Sequence, residues 1–243
     1  MRCGSRLVWI GAALVLLGAC GCGKTAESSS PAPVSSADAK PPAGNPPARQ
    51  IGKAPAPGVR ASTSRVAAML ARGDDQHPIV VLHTSLGDMV LRLDAERAPR
   101  TVYNFMSYAA SGHYNDTIFH QVEPGYAVLG GGYTAELDEK PVRYAIHNEA
   151  APGMKNRRGT IAMAHQPNDA DSATCQFFIN LADNSSLDCQ SADPQQRGYC
   201  VFGEVIEGQQ VLEKIAQVKV HSVKQFPSVP VQAVMIRAVT RLR

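Results

Sequence analysis

A closed antiparallel β-barrel with a helix at each end is the fold class that this sequence predicts, and three observations carry it. From Pro78 onward, eight or so short apolar runs are separated by turn residues, the signature of short strands. Only two stretches show helical spacing. Strands and helices do not alternate and no βαβ spacing recurs, which excludes a doubly wound sheet, whereas closure into a barrel removes exposed edges.

The elements follow in order. Residues 79–83 and 89–93 read as strands around a Ser85-Leu86-Gly87-Asp88 turn. Pro99 to Ser111 reads as a helix: proline opens it, Val102, Phe105, Met106 and Ala109 make one apolar face, and Gly112 stops it. Short strands are expected at 117–122, 126–130, 160–164, 176–181 and 201–205. A second helix, 209–218, carries Val211, Leu212, Ile215 and Ala216 at helical spacing, and 231–239 is a closing strand. Residues 78–243 suit one globular domain.

The N-terminal third is of another kind. Arg2 and Arg6 precede an uncharged apolar run from Leu7 to Leu17, too short for a transmembrane span. It ends in Leu17-Gly18-Ala19-Cys20, which resembles the lipobox of bacterial lipoproteins. That resemblance implies a signal peptide of residues 1–19, lipidation of Cys20 and a stable membrane anchor. An ordinary secretory signal is the alternative. Gly21 to about Ser64 is Ala, Pro, Ser and Gly with scattered charges, so residues 20–77 are expected to be a disordered linker stiffened by proline. The expected location is the bacterial cell envelope, lipid-anchored and facing the periplasm.

Charge and cysteines narrow the partners. Removing residues 1–19 takes Arg2 and Arg6 from 24 basic side chains and none of the 21 acids, leaving a formal net of +1. No basic run interleaved with aromatics points to nucleic acid. Cys189 and Cys200 flank a polar loop and form a possible disulfide, with two unpaired thiols as the alternative. Cys175 alternates into an apolar strand and reads as a small buried hydrophobe. No Cys/His spacing suggests a metal, and no cofactor is implied. Glu149 and Asp188 read as loop hydrogen-bonders rather than a catalytic carboxylate pair. No amphipathic seam argues for an oligomer, so a monomer is expected.

Several blocks together resemble one family. They include Tyr114-Asn115 with Thr117-Ile118-Phe119-His120, Gly130-Gly131-Gly132, Asn148-Glu149-Ala150, and Arg158-Gly159-Thr160-Ile161-Ala162-Met163-Ala164. Gln176-Phe177-Phe178-Ile179-Asn180 and Gly198-Tyr199-Cys200-Val201-Phe202-Gly203 follow in the same order. Over residues 79 to about 242 the chain resembles the bacterial branch of the cyclophilins, peptidyl-prolyl cis-trans isomerases. The resemblance implies an eight-stranded barrel capped by two helices, acting on X-Pro segments of unfolded or partly folded proteins.

It also assigns a site. Phe178 matches the aromatic floor of a proline pocket, Gln176 the glutamine beside it, and Ala164 an alanine whose backbone binds substrate. His120, Met163, Leu187 and Tyr199 match pocket or near-pocket positions. Phe178 and Gln176 lie two apart and therefore face the same way on a strand. Departures cluster here: Gln121 stands where the family carries its catalytic arginine, Tyr126 replaces phenylalanine, Ala127 a methionine and Leu129 a glutamine. The sequence therefore supports an exported isomerase slowed by Gln121. Its alternative is a catalytically silent, proline-binding or chaperone-like module tethered to the membrane.

Overall fold

Alternation of side chains decides which way each strand faces, and the register of pairing then closes the sheet on itself. The computed structural model describes residues 75–150, 154–191, 193 and 196–242. The expected signal peptide, Cys20 and the linker up to residue 74 lie outside the described residues.

The barrel strands are β1 (Ile79–Thr84), β2 (Gly87–Leu93), β3 (Thr117–Glu123), β4 (Ala127–Gly130), β5 (Thr160–Met163), β6 (Phe177–Asn180) and β7 (Val201–Glu207). After a small hairpin of β8 (Val220–Val223) and β9 (Phe226–Pro230), β10 (Met235–Arg241) completes them. The order around the barrel is β1-β10-β3-β4-β6-β5-β7-β2, and its neighbouring strands are antiparallel. Eight strands therefore close, as the sequence predicts.

Two helices cap the barrel. Helix α1 (Pro99–Ala110) has proline in its first turn and Ala98 at its N-cap, so no local side chain satisfies its first N–H groups. Glu149 does so from a distant loop, accepting from the N–H groups of Arg100 at 3.1 Å and Thr101 at 2.8 Å. Phe105 meets Tyr114, Phe177 and Phe202 at ring distances of 5.1, 5.7 and 5.3 Å. Each such buried ring stabilises by about 1.5–3 kcal/mol. Helix α2 (Gln209–Ala216) buries Val211, Leu212 and Ile215.

The apolar residues divide into an interior and two clusters outside it. Val80, Leu82, Leu91, Phe119, Val128, Phe177 and Phe202 belong to the interior. A second cluster gathers Ala127, Leu129, Ala162, Ala164, Phe178, Leu187 and Val201. The third holds Ile118, Tyr133, Phe226 and Val229, and the β8–β9 hairpin supplies its cover. The expected closing strand at 231–239 begins four residues later, at Met235; Val231 still follows the hairpin, its N–H donating to the Lys219 carbonyl at 2.8 Å.

Candidate active site

The second cluster is built by a row of paired residues crossing the barrel. Gln121 on β3 pairs with Leu129 on β4, and Leu129 with Phe178 on β6. Phe178 pairs in turn with Ala162 on β5, and Ala162 with Val201 on β7. Strands lie about 4.8 Å apart, so the backbones of Gln121 and Phe178 are roughly 10 Å apart with Leu129 directly between them.

An irregularity puts Gln121 in this row. The β3–β4 register shifts between Phe119 and Gln121, leaving His120 as an extra residue. Phe119 and Val122 both belong to the interior, so the two residues between them turn outward together. The Gln121 side chain is largely buried, and its amide nitrogen donates to Glu123 Oε1 at 3.1 Å. That nitrogen carries two hydrogens, and Glu123 takes one.

Phe178 is covered rather than open: its relative exposure is 0%, and that of Leu129 is 1%. Its ring meets Tyr199 edge-on at 5.4 Å, and Tyr199 stacks on His165 at 4.2 Å. Burial pushes the Tyr199 phenol up to about 12, so it remains a neutral hydroxyl. Tyr126 packs at the border of the cluster, and Ala127 and Leu187 complete it.

Buried asparagines hold Leu187 in place. Asn156 Nδ2 donates to the Leu187 carbonyl at 3.0 Å, and Asn180 Nδ2 donates to Asn156 Oδ1 at 3.2 Å. Asn184 Nδ2 donates to Asn180 Oδ1 at 2.8 Å and to the Tyr126 carbonyl at 2.9 Å. Asp188 accepts from the Asn156 N–H at 2.7 Å. Like Glu149, Asp188 is a loop hydrogen-bonder.

Gln176 lies just before β6, and its carbonyl accepts from the Ala164 N–H at 3.0 Å. Its side chain crosses Gly132, where a Cβ would come within 2.6 Å of Gln176 Cγ, so only glycine admits it there. Burial pushes the phenol of Tyr133, beside it, up to about 12. Gly131, at φ +86°, turns the chain between β4 and this contact.

Not every expected site residue joins the row. Met163 belongs to the interior; with Ala162 and Ala164 in the outer cluster, period-two alternation requires it to face inward. His120 packs in the third cluster, 4.7 Å from the Tyr133 ring and 5.6 Å from that of Phe226. Burial holds its imidazole down at about 3, and its Nδ1 has no hydrogen-bond partner. Cys189 and Cys200 are unbonded here, the second of the two alternatives that the sequence leaves open. Cys200 points into the interior with its Sγ 3.5 Å from Thr101 Oγ1, while Cys189 donates to the Ser191 carbonyl within its own loop.

The sequence reading missed Ala162, Val201, Glu123 and Tyr133. Period-two spacing from Ala164 and from Gln121 could have found Ala162 and Glu123. Among the described residues, no cluster of three or more His, Cys, Asp or Glu side chains could hold a metal. Two concavities of about 720 and 560 Å3 are bounded by neither Gln121 nor Phe178; Val201, at the far end of the row, lines the larger.

Comparison with known proteins bears on this wall. The family described as cyclophilin type peptidyl-prolyl cis-trans isomerase/CLD matches residues 79–241. Peptidyl-prolyl cis-trans isomerase A of Dickeya dadantii (strain 3937) is 45% identical over 159 residues, 65% of this chain and 82% of that protein. Peptidyl-prolyl cis-trans isomerase B of Escherichia coli (strain K12) is 43% identical over 162 residues, 67% of this chain and 98% of that protein. A solved cyclophilin type peptidyl-prolyl cis-trans isomerase of Cryptosporidium parvum superposes with a TM-score of 0.56 at 24% identity, covering 68% of this chain and 97% of that one, a likeness of fold. With the family matched along the whole barrel and relatives above 40% identity spanning most of their length, the chain belongs to the cyclophilin-type peptidyl-prolyl cis-trans isomerases.

Proposed function

We propose that this chain isomerises X-Pro bonds in exported proteins, with turnover slowed by Gln121 at the position of the family's arginine. The observation that carries the reading is the row in which Gln121, Leu129 and Phe178 pair on one face of the barrel. An X-Pro bond isomerises in tens to hundreds of seconds unaided, across a barrier of about 18–20 kcal/mol. The reaction needs no nucleophile or metal. It needs a surface for the proline ring and a donor for the amide nitrogen, which gains a lone pair as resonance is lost in the twisted state.

Phe178 supplies the ring surface and Gln176 the polar neighbour. Leu129 must yield for a proline ring to reach Phe178. Gln121 offers a neutral donor in place of a charged one, a loss of roughly 1–2 kcal/mol and so about 5- to 30-fold in rate. X-Pro segments of unfolded or partly folded proteins are the substrates. Arg2, Arg6, the apolar run to Leu17 and the Leu17-Gly18-Ala19-Cys20 sequence support export, lipidation at Cys20 and a periplasm-facing location.

A second reading, a silent proline-binding module, is favoured by the Gln121 amide being engaged by Glu123. A protease-coupled isomerisation assay separates the two. The parent should turn over, and Gln121→Arg should raise kcat/KM by about tenfold. X-Pro peptide binding with no rate effect in either protein would favour the module.

A further inference from the structure

Away from the Gln121–Phe178 row, a groove of about 560 Å3 separates α1 from the chain at 143–147. Arg100 and Tyr103 on the helix face Arg143, Ala145, Ile146 and His147 across it. Three of the four large apolar side chains exposed among the described residues belong to the groove or to the segment that bounds it: Tyr103 at 76% lines it, and Val142 at 46% and Tyr144 at 95% flank Arg143 in sequence. Solvent-facing tyrosines beside arginines are the composition of binding surfaces rather than of inert ones.

The charge is one-sided. The lining holds two guanidiniums and no carboxylate. Among the described residues neither Arg100 nor Arg143 makes an ion pair. Arg143 instead lies over the Tyr108 ring, 5.0 Å from its centroid. The nearby acids are occupied: Glu149 caps α1, and Asp171 pairs with His147 at 3.0 Å and Arg197 at 3.3 Å. The backbone is also open, since the N–H groups of Val142, Tyr144 and Ala145 donate to nothing among the described residues. An exposed segment with unpaired N–H groups is a template for strand addition.

We infer that this groove docks an extended, acidic segment of another protein. Its backbone runs along residues 142–145, its carboxylates meet Arg100 and Arg143, and its apolar side chains pack on Tyr103 and Tyr144. The chain's own residues 21–74 are poor occupants, with seven basic side chains against three acidic ones. A second copy docked two-fold would bring the same arginines face to face. The groove thus recruits a partner without using the isomerisation site, and the inference does not depend on the proposed activity.

Fluorescence anisotropy with the full chain tests it, using a labelled, proline-free peptide of alternating glutamate and valine and a matched lysine–valine peptide. The acidic probe should bind, weaken steeply with added salt, and lose about tenfold in affinity in Arg100→Glu/Arg143→Glu. X-Pro turnover should stay unchanged in that variant. Tyr144→Ser, at a side chain in open solvent, should weaken binding too and guards against a misfolded double variant. No binding of the acidic probe, equal binding of the lysine probe, or undiminished binding by both variants would overturn the inference.

Discussion

Gln121 reaches the outer wall through one extra residue in β3. Strict alternation from Phe119 would have turned it inward; the bulge sends it outward together with His120. Two residues on, Glu123 takes one hydrogen of its amide. Removing that acceptor in Glu123→Ala should free the amide and raise kcat about 2- to 10-fold with little change in KM, measured by steady-state isomerisation. An unchanged kcat would show that Glu123 has no hold on the donor. His120 makes a separate prediction. Its imidazole is held at about 3 in the folded chain against 6.5 unfolded, so its burial is fully tolerated above pH 6.5. As pH falls from 6.5 toward 3, the unfolded state takes up a proton that the folded state refuses. Stability should fall at up to about 1.4 kcal/mol per pH unit in that window. Urea unfolding of His120→Phe should show a shallower acid slope; identical slopes would contradict it.

Helix α1 depends on a carboxylate that its own sequence does not carry. Ala98 and Pro99 open it, and Glu149 arrives from 48 residues away to accept from Thr101 N–H and Oγ1 at 2.8 Å each. Glu149→Ala should cost about 1–2 kcal/mol, read as a lower urea midpoint at constant m-value. The two helices were legible because their apolar spacing is local. Tyr108, buried on the same face of α1, was not, since its position is set by contacts with Tyr114 and Arg143. The β8–β9 hairpin escaped for a different reason: its turn uses Lys224 at φ 52° and no glycine or asparagine, so no turn signal marks it.

At the scale of the whole fold, the thiols among the described residues are shielded unequally. Burial pushes Cys175 up to about 12 and Cys200 up to about 11, and Cys200 lies in the interior beneath Thr101. Iodoacetamide should therefore modify Cys189 in the native chain, and Cys175 and Cys200 only after unfolding, as read by peptide mass mapping. A linked Cys189–Cys200 peptide would contradict the placement of these side chains. Helices, barrel and shared apolar interior also make one cooperative unit, so a cap lost at α1 is felt in the global transition.

Sequence alone determined the family, the barrel and the sharing of one outer face by Gln176 and Phe178, because period-two alternation and ordered family blocks are written in consecutive residues. It also placed Gln121 at the position to watch. Only the tertiary structure decided that Leu129 lies between Gln121 and Phe178, that Glu123 engages the Gln121 amide, and that His120 serves a different cluster. The groove beside α1 likewise joins residues of 99–107 to residues of 143–147. Register shifts and loop returns depend on which distant strand a segment meets, and no local pattern records that meeting.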